Sequence, residues 1–235
     1  RPSVAEADFE KTTSGSTKPI SVEFTLIHPP FNPKTAEELF EGSSFSFYDK
    51  ASKTLKPDSL KNVVNIWAVL RNSPFHENIA CDTGCILLAY QIAGKDLKIK
   101  SLDIFLSMRN KYINYEGSFS KEHPYIVALN NVFEGIRDHS HPGNIREYNI
   151  GNYNASKLSR IFTYYRYMLI QGYNHMVILK HAGYDNWNRL WKVYQFFSDS
   201  DNLIIRHVNT RNLNRQIFRN KDDKFSFIGY IGIMR

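Results

Sequence analysis

Two residues, a cysteine and a histidine, have the types and the local contexts that thiol chemistry needs. Cys85 follows Gly84 and begins a short, strongly apolar run over residues 85–93, which predicts a helix with the cysteine at its N-terminus. A helix N-terminus and a nearby imidazolium both stabilise a thiolate, and the N–H groups there can donate to an oxyanion. His175 begins an apolar strand soon after Gly172, so we predict it as the partner of Cys85. Each residue also has a structural interpretation, as a buried cysteine and as a hydrogen-bonded histidine at a strand end.

A third polar group is needed to hold the imidazole in the correct tautomer. A hairpin between the predicted strands 174–180 and 190–197 places Gln195 opposite His175, within about two positions. Asp199 follows one step further along the same face. Chemistry favours the carboxylate and simple register favours the amide, so we rank Asp199 narrowly first and keep Gln195 as the alternative.

The elements that must position these residues change in type along the chain. Apolar residues recur with helical spacing in the first two thirds and alternate with polar residues in the last third. The predicted helices are 36–40 after the capping residue Thr35, 59–71, 85–93, 97–114, 124–136 and 156–171. The predicted strands are 21–27, 174–180, 190–197, 203–209 and 224–234.

The separation of helices from strands predicts an α+β fold, with a helical N-terminal part packed on a C-terminal antiparallel sheet. Residues 1–20 are polar and are predicted to form a flexible arm. Residues 21–235 are predicted to form a single catalytic domain, and a chain of 235 residues buries a sufficient core without disulfides.

The amino-acid composition predicts the charge of a binding partner and the redox state of the compartment in which the protein works. The formal net charge is +7, and the segment 206–224 is rich in Lys and Arg, which predicts contact with an anionic partner. The two cysteines, Cys81 and Cys85, are too few for a disulfide scaffold, so we expect free thiols and a reducing cytosol. No apolar run approaches the roughly 20 residues that span a bilayer, and residues 1–20 lack the apolar core of a signal peptide.

The order of these segments resembles the papain-like cysteine peptidase fold over residues 75–200. The matching segments are a cysteine that begins an apolar helix (GCILLAYQIAG), a histidine that begins a strand (YNHMVILK), and a polar residue that ends the next strand (WKVYQFFSD). The small bacterial effector and toxin members are the most similar in size and charge. Papain has a Gln six residues before its nucleophile. Ile79 stands at that position here, and Asn78 is expected to substitute.

The resemblance implies a thiol hydrolase that acts on a protein of a host or a competitor after secretion or delivery into a target cell. Cys85 would attack an amide carbonyl, and His175, oriented by Asp199 or Gln195, would protonate the leaving amine. Asn78 and the Cys85 backbone N–H would bind the oxyanion. The reaction would be peptide-bond cleavage or glutamine deamidation, without a cofactor or a metal.

Three other functions remain open on the sequence. The basic segment 206–224 is compatible with a nucleic-acid-binding or nuclease toxin domain. The Asp199-Ser200-Asp201 pattern is compatible with a metal-dependent glycosyltransferase-like effector. The third possibility is an interaction domain with no catalytic activity.

Overall fold

The structure of the protein is a computed structural model. It describes residues 19–22, 32–74, 79–112, 122–136, 165–172, 175–197, 199–213 and 227–234. Within them, a helical part precedes antiparallel strands, which confirms the mixed helix-and-sheet class that the sequence predicts.

The helices lie mainly in the first part of the chain, and the long strands lie in the last part. The helices are α1 (Ala36–Glu41), α2 (Leu60–Arg71), α3 (Cys81–Ala93), α4 (Ile99–Tyr112), α5 (Pro124–Phe133) and the short α6 (Thr210–Leu213). A small antiparallel sheet contains β1 (Tyr48–Asp49), β2 (Thr54–Leu55) and β3 (Leu97–Lys98). A larger sheet contains β4 (Tyr167–Gly172), β5 (Met176–Asp185), β6 (Asn188–Phe196), β7 (Leu203–Asn209) and β8 (Phe227–Met234).

The first two helices begin where the sequence predicts, at side chains that cap them. Thr35 accepts a hydrogen bond from the Glu38 N–H at 3.1 Å, and Ser59 accepts one from the Asn62 N–H at 3.1 Å. The N-terminus of α1 receives further support from the Asp103 carboxylate of α4, which accepts from two of its N–H groups. Capping of this kind satisfies backbone donors that have no partner inside the helix.

Helix α3 is longer than the sequence predicts. It begins at Cys81 rather than at Cys85, and Gly94 ends it in the left-handed conformation, with φ 63°. The prediction that Cys85 opens this helix is therefore wrong. The N-cap residue is Ala80, which has no side-chain acceptor, so the usual capping signal is absent from the sequence.

The larger sheet is antiparallel throughout, in the order β7-β6-β5-β4-β8. The hairpin of β5 and β6 closes at a two-residue turn, because Asp185 pairs with Asn188. An irregularity between His181 and Tyr184 shifts the register, so that Lys180 pairs with Lys192. Continued to the start of β5, this register brings residue 197 rather than Gln195 opposite His175.

Strand β4 occupies part of a segment that the sequence predicts to be helical, residues 156–171. Residues 167–172 form a strand between β5 and β8, and residues 156–164 lie outside the described residues. Met168, Leu169 and Ile170 are all buried, because side chains on both faces of this internal strand are covered. A strand that is buried on both faces has a continuous apolar run. Such a run also contains the spacing expected of a helix, so the sequence pattern does not distinguish the two.

Other predicted elements differ from the structure mainly at their ends. The predicted helix 97–114 begins with the two residues of β3 and continues as α4 to Tyr112. Residues 21 and 22 of the predicted strand 21–27 are not in a strand, and its remaining residues lie outside the described part, as do residues 1–18 of the predicted arm.

Buried hydrophobic residues from the helices and from one face of the larger sheet form one cluster. Trp67 of α2 lies against Phe196 of β6, with ring centroids 5.2 Å apart, and its indole N–H donates to the Ser200 carbonyl at 3.1 Å. These contacts fix the end of β6 beside the helices. In the described part of the chain, every helix is too short or too polar to cross a membrane.

Candidate functional site

Helix α3 lies against the sheet at a point where no side chain fits between them. A Cβ atom added to Gly84 would lie 2.3 Å from the Cγ atom of Phe196, far inside van der Waals contact. Glycine therefore permits the close approach of the first turn of α3 to the end of β6. This packing places the N-terminus of α3 beside the first residues of β5.

Cys81, the first residue of α3, contacts the backbone of β5 directly. The Met176 N–H donates a hydrogen bond to Cys81 Sγ at 3.2 Å. Covalent geometry then places the Cα atom of His175 within about 5.6 Å of that sulfur. Both residues are only 6% exposed, so the fold brings the backbone of His175, but not its imidazole, near Cys81 in a nearly water-free place.

Cys85, which the sequence predicts as the nucleophile, lies in the second turn of α3. Its Sγ donates to the Met176 carbonyl at 3.4 Å, and the residue is fully buried. Burial, with Cys81 and Asp82 nearby, raises the pKa of the Cys85 thiol well above its ordinary value. Its backbone N–H lies inside the helix and bonds to the carbonyl four residues earlier, so it cannot bind an oxyanion. Both predicted roles of Cys85 therefore conflict with its position.

The sequence contains one signal for the earlier helix start. Asp82 stands in the first turn, where a carboxylate interacts favourably with the helix dipole. Ala80 has no side chain that can cap, so the sequence favours a later start of the helix, near Cys85.

The residue opposite His175 is an aromatic one, on which the imidazole stacks, and not the predicted Gln195. The His175 ring lies 6.0 Å from that of Phe197, with an interplanar angle of 23°. The register of β5 and β6, continued beyond Ile178 and Tyr194, also places Phe197 opposite His175. The side chains of both residues belong, by strand alternation, to the face of the sheet turned away from α3.

Gln195 is a diagonal neighbour of His175 on that same face. It is 1% exposed, and among the described residues its side-chain oxygen has no hydrogen-bond partner. A diagonal pair across antiparallel strands lies within reach of long side chains. Gln195 is therefore placed where it can contact the His175 side chain on the face turned away from α3.

The other predicted site residues are not joined to Cys81 or His175. Asp199 lies in the exposed turn after β6, and no hydrogen bond connects it with His175 in the described part of the chain. Asn78, the predicted oxyanion residue, lies outside the described residues.

A buried ionic cluster stabilises the start of α3 from the side opposite the sheet. The Asp82 carboxylate accepts from Arg109 Nε of α4 and from the Tyr125 hydroxyl of α5, each at 3.1 Å. It also accepts from the Thr83 N–H at 2.8 Å. Burial and the Asp82 charge raise the pKa of Tyr125 well above its ordinary value, so this hydroxyl remains a donor. Three helices are therefore held together next to Cys81.

The glycosyltransferase and nucleic-acid alternatives rest on charged residues, and the structure pairs or buries some of these residues. In the Asp199-Ser200-Asp201 pattern, Asp201 forms an ion pair with Arg71 and accepts from the Asn72 amide at 3.3 Å, so it is not a free metal ligand. Among the described residues, no group of three or more His, Cys, Asp or Glu side chains could hold a metal ion. Arg206 in the basic segment 206–224 is 4% exposed, and residues 214–224 lie outside the described part.

Comparison with known proteins gave no match: no family model fits the chain, and neither a curated protein nor a solved structure matches it.

Proposed function

We propose that the protein is a thiol hydrolase that acts on a protein substrate, with Cys81 rather than Cys85 as the nucleophile. One observation carries the proposal: Cys81 is the first residue of α3 and accepts the Met176 N–H, one residue from His175. A hydrogen-bond donor and the positive end of a helix dipole both stabilise a thiolate. Cys85 has neither advantage, because it is buried and donates its S–H proton.

The proposed reaction follows the usual two steps of thiol hydrolysis. The Cys81 thiolate attacks an amide carbonyl, and first-turn N–H groups of α3 stabilise the oxyanion that forms. His175 then donates a proton to the leaving amine, and the carbon–nitrogen bond breaks. A water molecule, deprotonated by His175, hydrolyses the thioester and releases Cys81.

His175 must leave its stacked position on Phe197 to carry out these steps. Because His175 precedes the first residue of β5, a rotation of its backbone dihedrals, and not of its side chain alone, would bring the imidazole to the face on which Cys81 lies. Of the two predicted positioning residues, Gln195 is the nearer to the stacked His175 side chain, because it is buried on the same sheet face whereas Asp199 is exposed.

The proposal extends to the fold family and the biological setting. A cysteine at a helix start, a helical spacer, and a histidine at the start of an antiparallel strand support a papain-like fold. The net charge of +7 and the two free thiols support an effector or toxin that is secreted or delivered into a target cell and acts in its reducing cytosol. Substrates are proteins, through either peptide-bond cleavage or glutamine deamidation.

The test is a comparison of protein products made by the wild type and by C81A. Each is incubated with protein extracts of eukaryotic and of bacterial cells, and mass spectrometry finds new peptide termini and glutamines converted to glutamate. We expect one of these product types with the wild type and neither with C81A. The same data distinguish a protease from a deamidase.

Cys85→Ser is the matched control, because it removes the other thiol of the same helix. It should retain the products, since Cys85 has no part in the proposed chemistry. Products that persist in C81A but disappear in C85S would refute the assignment of Cys81.

A further inference from the structure

The tip of the hairpin formed by β5 and β6 exposes a large aromatic side chain. Trp187 occupies the two-residue turn and is 98% exposed, whereas Trp67 and Trp191 are fully buried. Tyr184, close behind the tip, is 63% exposed. Trp187 and Tyr184 together expose aromatic surface at one end of the hairpin, and grouped apolar surface of this kind is typical of an interaction site.

The backbone conformation of the turn also disfavours a large side chain at the position of Trp187. Asn186 has φ 44° and Trp187 has φ 74°, so both central residues are left-handed. Glycine and asparagine are the ordinary residues at such positions, and a bulky side chain is disfavoured there. An observed backbone outlier with an exposed side chain indicates a functional constraint on that side chain.

Cations surround the hairpin behind its aromatic tip. Arg189 lies over the rings of Tyr184 and Trp191, with distances of 5.6 and 5.9 Å to their centroids. Lys180 and Lys192 are directly opposite each other across β5 and β6. Within the described part of the chain, none of these three cations forms an ion pair with a carboxylate.

Two positive charges directly opposite each other destabilise a pair of strands. An anionic surface that contacts the hairpin would remove this repulsion. Residues 180–192 contain one acidic residue, Asp185, against the three cations, so the segment is positively charged. The charge complements an anionic partner, and the aromatic tip requires that the partner also accept apolar surface.

We propose that this hairpin is a docking site for an anionic lipid bilayer. Trp187 would enter the interface between head groups and acyl chains, where tryptophan is enriched in membrane proteins. Arg189 is two residues from Trp187, about 7 Å along the strand, which matches the thickness of one head-group layer, about 5–7 Å. Lys180 and Lys192, about 16 Å from the tip, lie outside the bilayer but within its surface potential.

The order of groups along the hairpin favours a bilayer over a nucleic acid. The aromatic residue is outermost, and the cations form successive levels behind it, as the phosphates lie behind the apolar interior of a membrane. Single-stranded nucleic acid requires aromatic rings and cations side by side along one groove. The docking site uses neither Cys81 nor His175, so it is independent of the proposed hydrolase activity.

The test uses the full chain with vesicles of phosphatidylcholine, alone or mixed with phosphatidylserine. We expect co-sedimentation with the mixed vesicles, at least about tenfold stronger than with phosphatidylcholine alone and weakened by salt. Because Trp187 is the exposed tryptophan of the three in the chain, its fluorescence should shift to shorter wavelength on binding.

Trp187→Asn is the principal variant, since asparagine tolerates the left-handed turn and should preserve the fold. It should lower the partition coefficient at least about fivefold, and R189Q should lower it about fivefold. The matched control is I104N, which replaces another exposed apolar residue, on α4, and should bind as the wild type does.

Three outcomes would overturn the proposal. The first is no binding of the wild type to anionic vesicles at low salt. The second is equal binding by W187N and the wild type, with thermal unfolding showing that both are folded. The third is a Trp187 fluorescence shift with a labelled single-stranded oligonucleotide and none with vesicles, which would assign the hairpin to nucleic acid.

Discussion

The N–H of Met176 donates to the Sγ atom of Cys81 at 3.2 Å, so the start of β5 meets the start of α3. The carbonyl of the same Met176 accepts from the Sγ atom of Cys85 at 3.4 Å. Met176 therefore donates a hydrogen bond to one cysteine sulfur and accepts one from the other. The bond to Cys81 is stronger when that sulfur is a thiolate, whereas the bond to Cys85 requires its S–H proton.

The first prediction is that iodoacetamide labels Cys81 of the native protein at least about tenfold faster than Cys85. Cys85 is fully buried and has a raised pKa, so it reacts only after local unfolding. Mass spectrometry of a digest, at a series of reaction times and at pH 6 to 8, measures the two rates. If His175 supports a thiolate, H175Q should slow the labelling of Cys81 at pH 6.

Denatured protein is the control, because both thiols should then react at similar rates. Faster labelling of Cys85 in the native state would contradict the assignment. Labelling of Cys81 that is identical in wild type and H175Q would remove His175 from the proposed site.

Helices with local signals were predictable from the sequence. Helix α2 follows the prediction 59–71 because Ser59 caps it and its apolar residues recur at helical spacing. Strand β7 matches the prediction 203–209 because a polar turn precedes it. These signals act within a few residues, so no knowledge of the tertiary structure is needed.

The parts of the fold that were predicted wrongly from the sequence depend on contacts between residues that are distant along the chain. Strand β4 is buried on both faces by neighbouring strands, which removes the alternation that identifies a strand. The register of His175 depends on the irregularity between His181 and Tyr184, where Gly183 adopts φ 94°, and a lone glycine in a strand does not specify the size of the shift. The start of α3 at Cys81 depends on Asp82 meeting Arg109, 27 residues later. The sequence therefore predicted the helix, but not that its first residue, Cys81, meets the strand.

The second prediction concerns the contact of α3 with the sheet. Gly84→Ala should destabilise the protein by about 1–3 kcal/mol, because its Cβ would lie 2.3 Å from Phe196 Cγ. The higher helix propensity of alanine offsets about 1 kcal/mol of the strain at most. Urea unfolding measures the change in the free energy of unfolding.

Gly135→Ala is the matched control for this substitution. The nearest atom to its added Cβ is the Tyr90 hydroxyl oxygen at 3.7 Å, an ordinary contact. It should change stability by less than about 0.5 kcal/mol. Equal stabilities of G84A and G135A would show that α3 and β6 are not in close contact.

The third prediction concerns the ionic cluster beside Cys81. Asp82→Asn should lower stability by about 3–5 kcal/mol, because it removes the carboxylate charge that pairs with the buried Arg109 guanidinium. The double variant D82N/R109M removes both charges and should recover part of the loss. Thermal unfolding of the two variants distinguishes these effects, and a double variant less stable than D82N would contradict the explanation.

The fourth prediction is a loss of stability in mild acid that depends on His123. This residue caps α5, because its Nδ1 accepts the Tyr125 N–H at 3.2 Å, which requires a neutral imidazole. Burial lowers the pKa of His123 in the folded state, so the unfolded state binds the proton more readily below the usual value of about 6.5. The free energy of unfolding should therefore fall as the pH decreases from 7.5 to 5.5, with a slope of at most about 1.4 kcal/mol per pH unit from this group.

Burial and the nearby Arg189 also lower the pKa of His181, so it adds a second contribution of the same sign. His123→Asn separates the two, because asparagine retains a capping oxygen but does not titrate. Urea unfolding at a series of pH values should give a shallower slope for H123N, with similar stability at pH 7.5. A slope that is unchanged in H123N would mean that protonation of His123 does not oppose folding, and the acid sensitivity would then belong to His181 and other groups.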